Sequence, residues 1–522
     1  MAARIGDGTK KKLLYAGAAA GVVAGVGVAL ALPAAGLSAQ AAQAMGILVW
    51  AIVWWVLRIF PEMVTAFIMA ALFIAVAGVP IEVVFASFSG ETWWLLLAAF
   101  GLGVGMKESG LTTRIAHVVL DRFPATFRAQ TVAIIASGTV IGPLIPSMSA
   151  KLAVITPLSF GIGESLGYKP KSREMNGLFL AALTGVRTVG PLFISACVIG
   201  YALLAFYPED VQARFNMVNW FLAALPWFVF VTVANYLAIT LLYGPKDARR
   251  ARAAARKGAQ AAGRAGGEGA ERPATGEAPA RAGAEEQVQA AGGTQTVAVA
   301  GPDRAGKGDL GPMSDAEKKM LAVILATVAL WVLEPVHGIS SVVVGLAGVA
   351  AFLGLRVCTL REFRTGMNWE NLMFIGTAMG LASVFSHTGI DAWVVGLVGP
   401  ALEHLAFSPF LFVAGIALAT VALRFVIASE MAFINIFMAF MAPMAVSLGV
   451  NPWVVGFAVY AMVNPWFMMY QNPIYMAAFY SVDGRMVNHG PMAAYCGIYL
   501  AICLAGLMLS IPYWSATGVY AL

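Results

Sequence analysis

The chain has 522 residues, of which 60% are hydrophobic and only 11% charged, with a mean hydropathy of +0.79. Globular chains carry about 25% charged residues, so an ordinary soluble enzyme is excluded and a polytopic α-helical membrane protein is expected. The formal charge of +6 is spread over short loops and one polar stretch, which excludes a folded nucleic-acid-binding patch.

Arg4 and Lys10 to Lys12 precede an apolar run from Leu13 to Leu32, and the small residues of Ala34 to Ala44 give the segment the look of a signal peptide. The run is about 20 residues, the length of a spanning helix, so it reads as an uncleaved lead helix. Residues 1–44 are then a cytoplasmic N-terminus, the lead helix and a loop.

Residues 45–243 read as a first repeat. Met45 to Leu57 and Met63 to Val79 flank a turn with Arg58, Pro61 and Glu62, and Trp93 to Met106 leads into Lys107, Arg114, Arg122 and Arg128. From Ala129 to Leu166 a re-entrant hairpin is expected. Pro143 and Pro146 remove two backbone donors and stop the first arm, leaving Ser147, Met148, Ser149, Ala150 and Lys151 as a short exposed tip. Irregular backbone at membrane depth survives only against protein or a water-filled cavity. Basic residues on both flanks place the hairpin's two ends on one side. Gly177 to Phe206 reads as a broken helix, interrupted at Thr184, Gly185, Arg187, Thr188, Gly190 and Pro191. Trp220 to Tyr243 then returns to a basic cluster.

Residues 244–318, rich in Ala, Gly, Arg, Glu and Pro and without aromatics, cannot bury a core and are expected to form a disordered cytoplasmic linker. The basic start of this stretch could instead lie on anionic lipid as a short helix.

Residues 319–522 repeat the pattern. Leu321 to Val336, Ser340 to Leu355 and Trp369 to Phe385 match the earlier segments. Pro409 to Leu448 is the second hairpin, with Arg424, Ser429 and Glu430 in its turn. Tyr460 to Tyr480 is a second broken helix, carrying Asn464, Pro465, Gln471, Asn472 and Pro473, and Met492 to Ile511 is the last crossing. The fold class is therefore all-α, with about 11 transmembrane helices in two inverted repeats, each holding a re-entrant hairpin and a broken helix. The basic stretches place the N-terminus and linker in the cytoplasm and the C-terminus outside an inner membrane.

Intramembrane charges face cavities or partners, so Lys151, Arg187, Arg424 and Glu430 need reasons. Lys151 and Arg187 fall at expected breaks beside Ser147, Ser149, Thr184 and Thr188. Such a set suits a small anion with two carboxylates, although either cation could equally be a snorkelling or structural charge. Glu430 could pair with Arg424, neutralise Lys151 or carry a proton. Asn464, Gln471 and Asn472 offer amide dipoles, as ligand contacts or as helix-packing bonds. Cys197, Cys358, Cys496 and Cys503 have no metal or disulfide spacing, and no metal site is expected. HExxH and P-loop patterns are lacking, and no enzyme chemistry is expected.

At these residues the chain resembles the divalent anion:sodium symporter (DASS) family. The string PSMSAK, from Pro146 to Lys151, is similar to the PSNTAR form of that family's 2-oxoglutarate/malate and citrate/succinate exchangers, and Pro157 follows at the family's distance. Ser429 and Glu430 match the Thr-Glu before its second tip, which here becomes Phe433, Ile434 and Asn435. Tyr470, Gln471, Asn472 and Pro473 sit where the family has a polar break. The resemblance implies an elevator-type carrier of di- or tricarboxylates or sulfate, a homodimer in the bilayer, with sodium as the coupling ion. Substrate contacts would come from Ser147, Met148, Ser149, Lys151, Thr184, Arg187, Thr188, Asn435, Gln471, Asn472 and Pro473. Ion coupling would involve Ser147, Ser149, Gly185, Ser429, Glu430 and Asn464. Met148, Phe433 and Ile434 depart from the pattern and offer no oxygen or amide, and a fixed charge at Lys151 could replace one sodium, favouring exchange or proton coupling. The alternative function is a sodium/proton or other ion antiporter of the same superfamily.

Overall fold

The computed structural model describes residues 7–245, 311–406, 408–427 and 429–522. Most of the linker expected at 244–318 therefore lies outside the described residues, as does the lipid-bound helix considered for its start. Among the described residues no strand forms, and the one β-bridge joins Val450 to Ala521.

Nineteen principal helices follow in order. The lead helix is α1 (Asp7–Ala31). The first repeat comprises α2 (Ala39–Leu57), α3 (Glu62–Ala75), α4 (Glu91–Glu108), α5 (Leu111–Asp121), α6 (Phe127–Ile141), α7 (Met148–Ser165), α8 (Arg173–Leu192), α9 (Val198–Leu204) and α10 (Met217–Tyr243). The second comprises α11 (Asp315–Val332), α12 (Ser341–Gly354), α13 (Trp369–Thr388), α14 (Ile390–Ala406), α15 (Pro409–Arg424), α16 (Glu430–Ser447), α17 (Pro452–Met462), α18 (Pro473–Tyr480) and α19 (His489–Ala516). Element order in the second set follows the first, α2 answering to α11 and α10 to α19.

Local chemistry sets the helix starts. Ser38, Thr126 and Ser172 each cap a helix by accepting a backbone N–H, and Ser314 does so within a capping box closed by Glu317. Ser38 starts α2 six residues before the apolar run that reveals it in the sequence. Likewise α11 starts at Asp315, ahead of the linker boundary expected at 318. The lead helix packs along α2 through small residues: a Cβ on Gly46 would stand 2.4 Å from the Gly25 carbonyl oxygen, so only glycine permits this approach.

Contacts between the repeats are reciprocal. Helix α4 packs on α12 while α13 packs on α3, and α7 packs on α18 while α16 packs on α9. Helices α10 and α19 pack on each other, with Trp220, Trp453, Phe457 and Trp514 interlocked edge to face between α10, α17 and α19. Both hairpins and both broken helices thus form one inner bundle, α6–α10 with α15–α19. Helices α1–α4 and α11–α13 flank it. A small recess lies between Leu102, Ile324 and Trp331 of the flank and Pro143, Pro146 and Ser195 of the bundle.

Among the described residues, five helices are long and apolar enough to cross a membrane, or six if the α13–α14 pair, bent by 81°, is one span; four further apolar helices have only 10–17 residues. The first broken helix breaks later than its polar residues suggest. Helix α8 runs unbroken through Thr184, Gly185, Arg187, Thr188 and Gly190, and the chain opens only at Phe193–Cys197. Thr184 and Thr188 are accommodated inside the helix because their hydroxyls donate to the carbonyls of Leu180 and Thr184, one turn back.

Candidate functional site

The first hairpin turns through Gly142–Leu144, and α7 begins at Met148 under a cap from Ser147, whose Oγ accepts the Ala150 N–H at 3.3 Å. Ser149 is exposed and Ser147 half-buried, whereas Met148 is 3% exposed and Lys151 fully buried. Of the expected exposed tip only Ser149 is exposed, because α7 carries Met148 and Lys151 back into the bundle within one turn. There Lys151 Nζ donates to the carbonyl oxygens of Ala196 at 2.6 Å and Gly142 at 3.4 Å. Those carbonyls end the first hairpin arm and the break after α8. Val198 N–H donates to Pro146 O at 3.2 Å and fastens the same two breaks together.

Arg187 projects from the middle of α8 and is fully buried. Its partners all come from the other repeat: Glu430 Oε1 at 2.8 Å, Asn472 Oδ1 at 3.1 Å and the Val463 carbonyl at 3.2 Å. Arg424 also reaches Glu430, at 3.7 Å, and donates to the Ile427 carbonyl at 2.7 Å and to that of Gln471. Glu430 thus pairs with Arg187 first and Arg424 second, and Lys151 is held by carbonyls instead. Among the described residues, the buried ionisable groups of the inner bundle are Lys151, Arg187 and Arg424 against the single carboxylate Glu430.

The remaining residues divide by use. Gln471 shapes the second break, its Oε1 accepting the N–H groups of Phe467 and Met468 at 2.8 Å each. Asn472 caps α18 through Tyr475 N–H while bonding Arg187, and Pro473 opens that helix, exposed. Gly185 packs against Ile135, where an added Cβ would lie 3.1 Å from a backbone carbon. Ser429 caps α16 through the Ala432 N–H at 3.1 Å. Phe433, Ile434 and Asn435 lie inside α16 and are buried. Asn435 and Asn464, 0% and 1% exposed, leave both amide atoms without a protein partner. Met148 is wedged between Gly190 and Tyr460: a Cβ on Gly190 would meet Met148 Cε at 2.3 Å and the Tyr460 hydroxyl at 2.8 Å.

Asn235, on α10, was not singled out by its sequence setting, yet its Nδ2 donates to Thr184 Oγ1 at 2.7 Å and its Oδ1 accepts from Tyr495. Thr188 shares a hydrogen bond of 3.0 Å with Tyr499. An amide well inside a largely apolar 27-residue helix, and tyrosines four apart on α19, were the available signals.

Buried cations on two breaks, two unpartnered amides and a surplus of positive charge make a site suited to an anion. Comparison with known proteins agrees with that chemistry. The family model described as the sodium:sulfate symporter transmembrane region matches residues 12–519. The inner membrane protein YbhI of Escherichia coli is 23% identical over 372 residues, 69% of this chain and 68% of that one. A chloroplastic dicarboxylate transporter 2 of Spinacia oleracea is 23% identical over 71% of this chain and 59% of its own length. The L-tartrate/succinate antiporter of E. coli is 22% identical over 69% and 64%. The chain thus spans less than two thirds of the last two. Among solved structures, the Alcanivorax borkumensis YdaH transporter aligns with a TM-score of 0.55 at 14% identity, covering 90% of this chain and 98% of that one. Neisseria gonorrhoeae MtrF aligns at 0.51 and 15%, covering 82% of each. At those identities the likeness concerns the fold.

Proposed function

The chain belongs to the sodium:sulfate symporter family, the DASS family of its sequence resemblance, and we propose that within it this protein exchanges small dicarboxylates across an inner membrane. The observation that carries this reading is the buried charge: three cations and one carboxylate at the junction of the four breaks. Removing charges from water costs several kcal/mol each unless they are compensated, so a dianion would balance the excess of two. Relatives named as a dicarboxylate transporter and a tartrate/succinate antiporter favour a dicarboxylate.

The substrate would lie between the hairpin tips, with Ser147 and Ser149 on one side and Asn435 and Asn464 on the other. Helix N-termini at Met148 and Glu430 would face its carboxylates. Lys151, seated on the Gly142 and Ala196 carbonyls, holds a cation where two backbone oxygens would otherwise invite one. A fixed ammonium there favours exchange over sodium symport, with sodium at most a partner of the second tip. The inner bundle would move as an elevator against the flanking helices. The reading further places the N-terminus and linker in the cytoplasm, the C-terminus outside, and two copies side by side through the flanking helices.

A thermal-stability scan with succinate, malate, citrate and sulfate tests it. A bound dicarboxylate at 100 times its Kd stabilises by about 2.7 kcal/mol. Indifference to every anion, with a response to pH or sodium alone, would favour the ion-antiporter alternative.

A further inference from the structure

Four cations crowd one corner of the flanking helices, where α11 begins, α12 ends and α13 begins. Arg356 follows α12 in a left-handed turn, at φ 55°. Lys319 of α11 is brought to the same turn, its Nζ donating to the Leu355 carbonyl at 3.1 Å. A short helix, Leu360–Gly366, then leads to α13 with Arg361 and Arg364 three residues apart on one face. Its other face is fixed inward. The Phe363 ring lies 6.1 Å from that of Phe352 on α12, and a Cβ on Gly366 would stand 2.8 Å from the Val104 side chain of α4. Arg361 and Arg364 are therefore turned outward, and all four cations are exposed.

Their charge is not met within the protein. Among the described residues, none of the four enters an ion pair, and none of the three guanidiniums donates a hydrogen bond. Glu362 is the one carboxylate from Leu355 to Trp369, and it is folded back onto the helix start, accepting the N–H and hydroxyl of Thr359 at 2.7 and 2.9 Å. Apolar side chains interleave with the cations: Leu355, Leu360 and Trp369 are 45%, 73% and 41% exposed. Trp369 Nε1 donates to the Arg364 carbonyl at 3.0 Å, which ties the indole to this helix.

We propose that this corner binds an anionic phospholipid, its phosphodiester against the arginines and its acyl chains beside Leu355, Leu360 and Trp369. Unpaired cations next to exposed apolar groups fit a ligand that carries both features. Free phosphate would leave the leucines and the indole uncovered. A second copy meeting this face across a two-fold axis would set like charges against each other. A zwitterionic headgroup would bring its own ammonium into the cluster. Lipid held here grips the flank and not the inner bundle, so the proposal is independent of which anion is carried.

The test uses the full chain in mild detergent, titrated with phosphatidylglycerol, phosphatidylcholine or inorganic phosphate, with the melting midpoint as the readout. Each basic residue at an anionic membrane surface is worth about a factor of five, so Arg361→Gln combined with Arg364→Gln should move the phosphatidylglycerol titration to about 25-fold higher concentration. Arg361→Lys combined with Arg364→Lys should keep most of the affinity, because the charge remains. Arg122→Gln combined with Arg128→Gln, an exposed basic pair at the turn between α5 and α6, should titrate as wild type does. An equal response to phosphatidylcholine overturns the proposal. So does a phosphatidylglycerol response that the Gln pair at 361 and 364 leaves unchanged, or that the pair at 122 and 128 weakens as much. Stabilisation by inorganic phosphate equal to that by the lipid would assign the corner to a free anion, and a change of oligomeric mass in the 361 and 364 Gln pair would assign it to a second copy; either overturns it. If that pair does not fold, wild type decides: stabilisation by phosphatidylglycerol that about 1 M sodium chloride leaves untouched also overturns it.

Discussion

Arg187 carries the largest electrostatic burden of any side chain in the bundle. It is fully buried, and it donates to Glu430, Asn472 and the Val463 carbonyl of the opposite repeat. Breaking a buried ion pair from one side costs about 3–5 kcal/mol, because the abandoned charge stays buried. Arg187→Met should therefore lower the unfolding midpoint sharply, and Glu430→Met should do the same. The double variant should recover much of that stability, since a matched apolar pair is often neutral. It should not recover transport. Detergent unfolding curves and uptake on the three proteins check both statements. Lys151 makes a different prediction: with its ammonium removed in Lys151→Ala, the Gly142 and Ala196 carbonyls become available to a metal ion. Sodium titration should stabilise that variant more than wild type; an equal response of the two would contradict the fixed-cation role.

At the scale of elements, the inner bundle depends on close approaches that large residues forbid. On α8, Gly190 admits Met148 from the first hairpin and Tyr460 from α17. Gly190→Ala should cost about 1–3 kcal/mol by overpacking, and Met148→Ala in the same chain should relieve part of it, because one of the two obstructing atoms is the end of that flexible side chain. Thermal melts of the single and double variants measure the relief. The elements themselves were largely legible. Pro143, Pro146 and basic flanks marked the first hairpin, Arg424, Ser429 and Glu430 the turn of the second, and Asn464 to Pro473 marked the second break where it lies. The first break was misplaced because Thr184, Arg187 and Thr188 look like interruptions in one dimension. In three dimensions the threonines bond their own helix and the arginine finds Glu430, 243 residues away. No local pattern announces a partner at that distance. Short apolar helices such as α17, 11 residues long, also escape a count based on membrane thickness, since burial within the bundle relieves them of spanning lipid.

For the molecule as a whole, the repeats are joined outside the bundle too. Arg114 of α5 bonds Glu317 Oε1 at 2.7 Å and the Gly311 carbonyl at 3.1 Å, gripping the polar start of α11 ahead of its apolar run. The Arg114 hydrogen bond holds the Glu317 carboxyl below its usual range, with the Ser314 N–H assisting. A carboxyl depressed in the folded state stabilises it above its ordinary value, near 4.5, and that contribution fades as pH falls through the folded value. Glu317→Gln should therefore melt below wild type at neutral pH, with the gap closing in acid; a gap constant with pH would assign the loss to the cap alone. The central claim concerns the transported species and its coupling. Radiolabelled succinate uptake into proteoliposomes, with and without internal dicarboxylate and with and without a sodium gradient, tests it most directly. Uptake should require the internal anion and ignore sodium. Uptake driven by a sodium gradient into empty vesicles would contradict it.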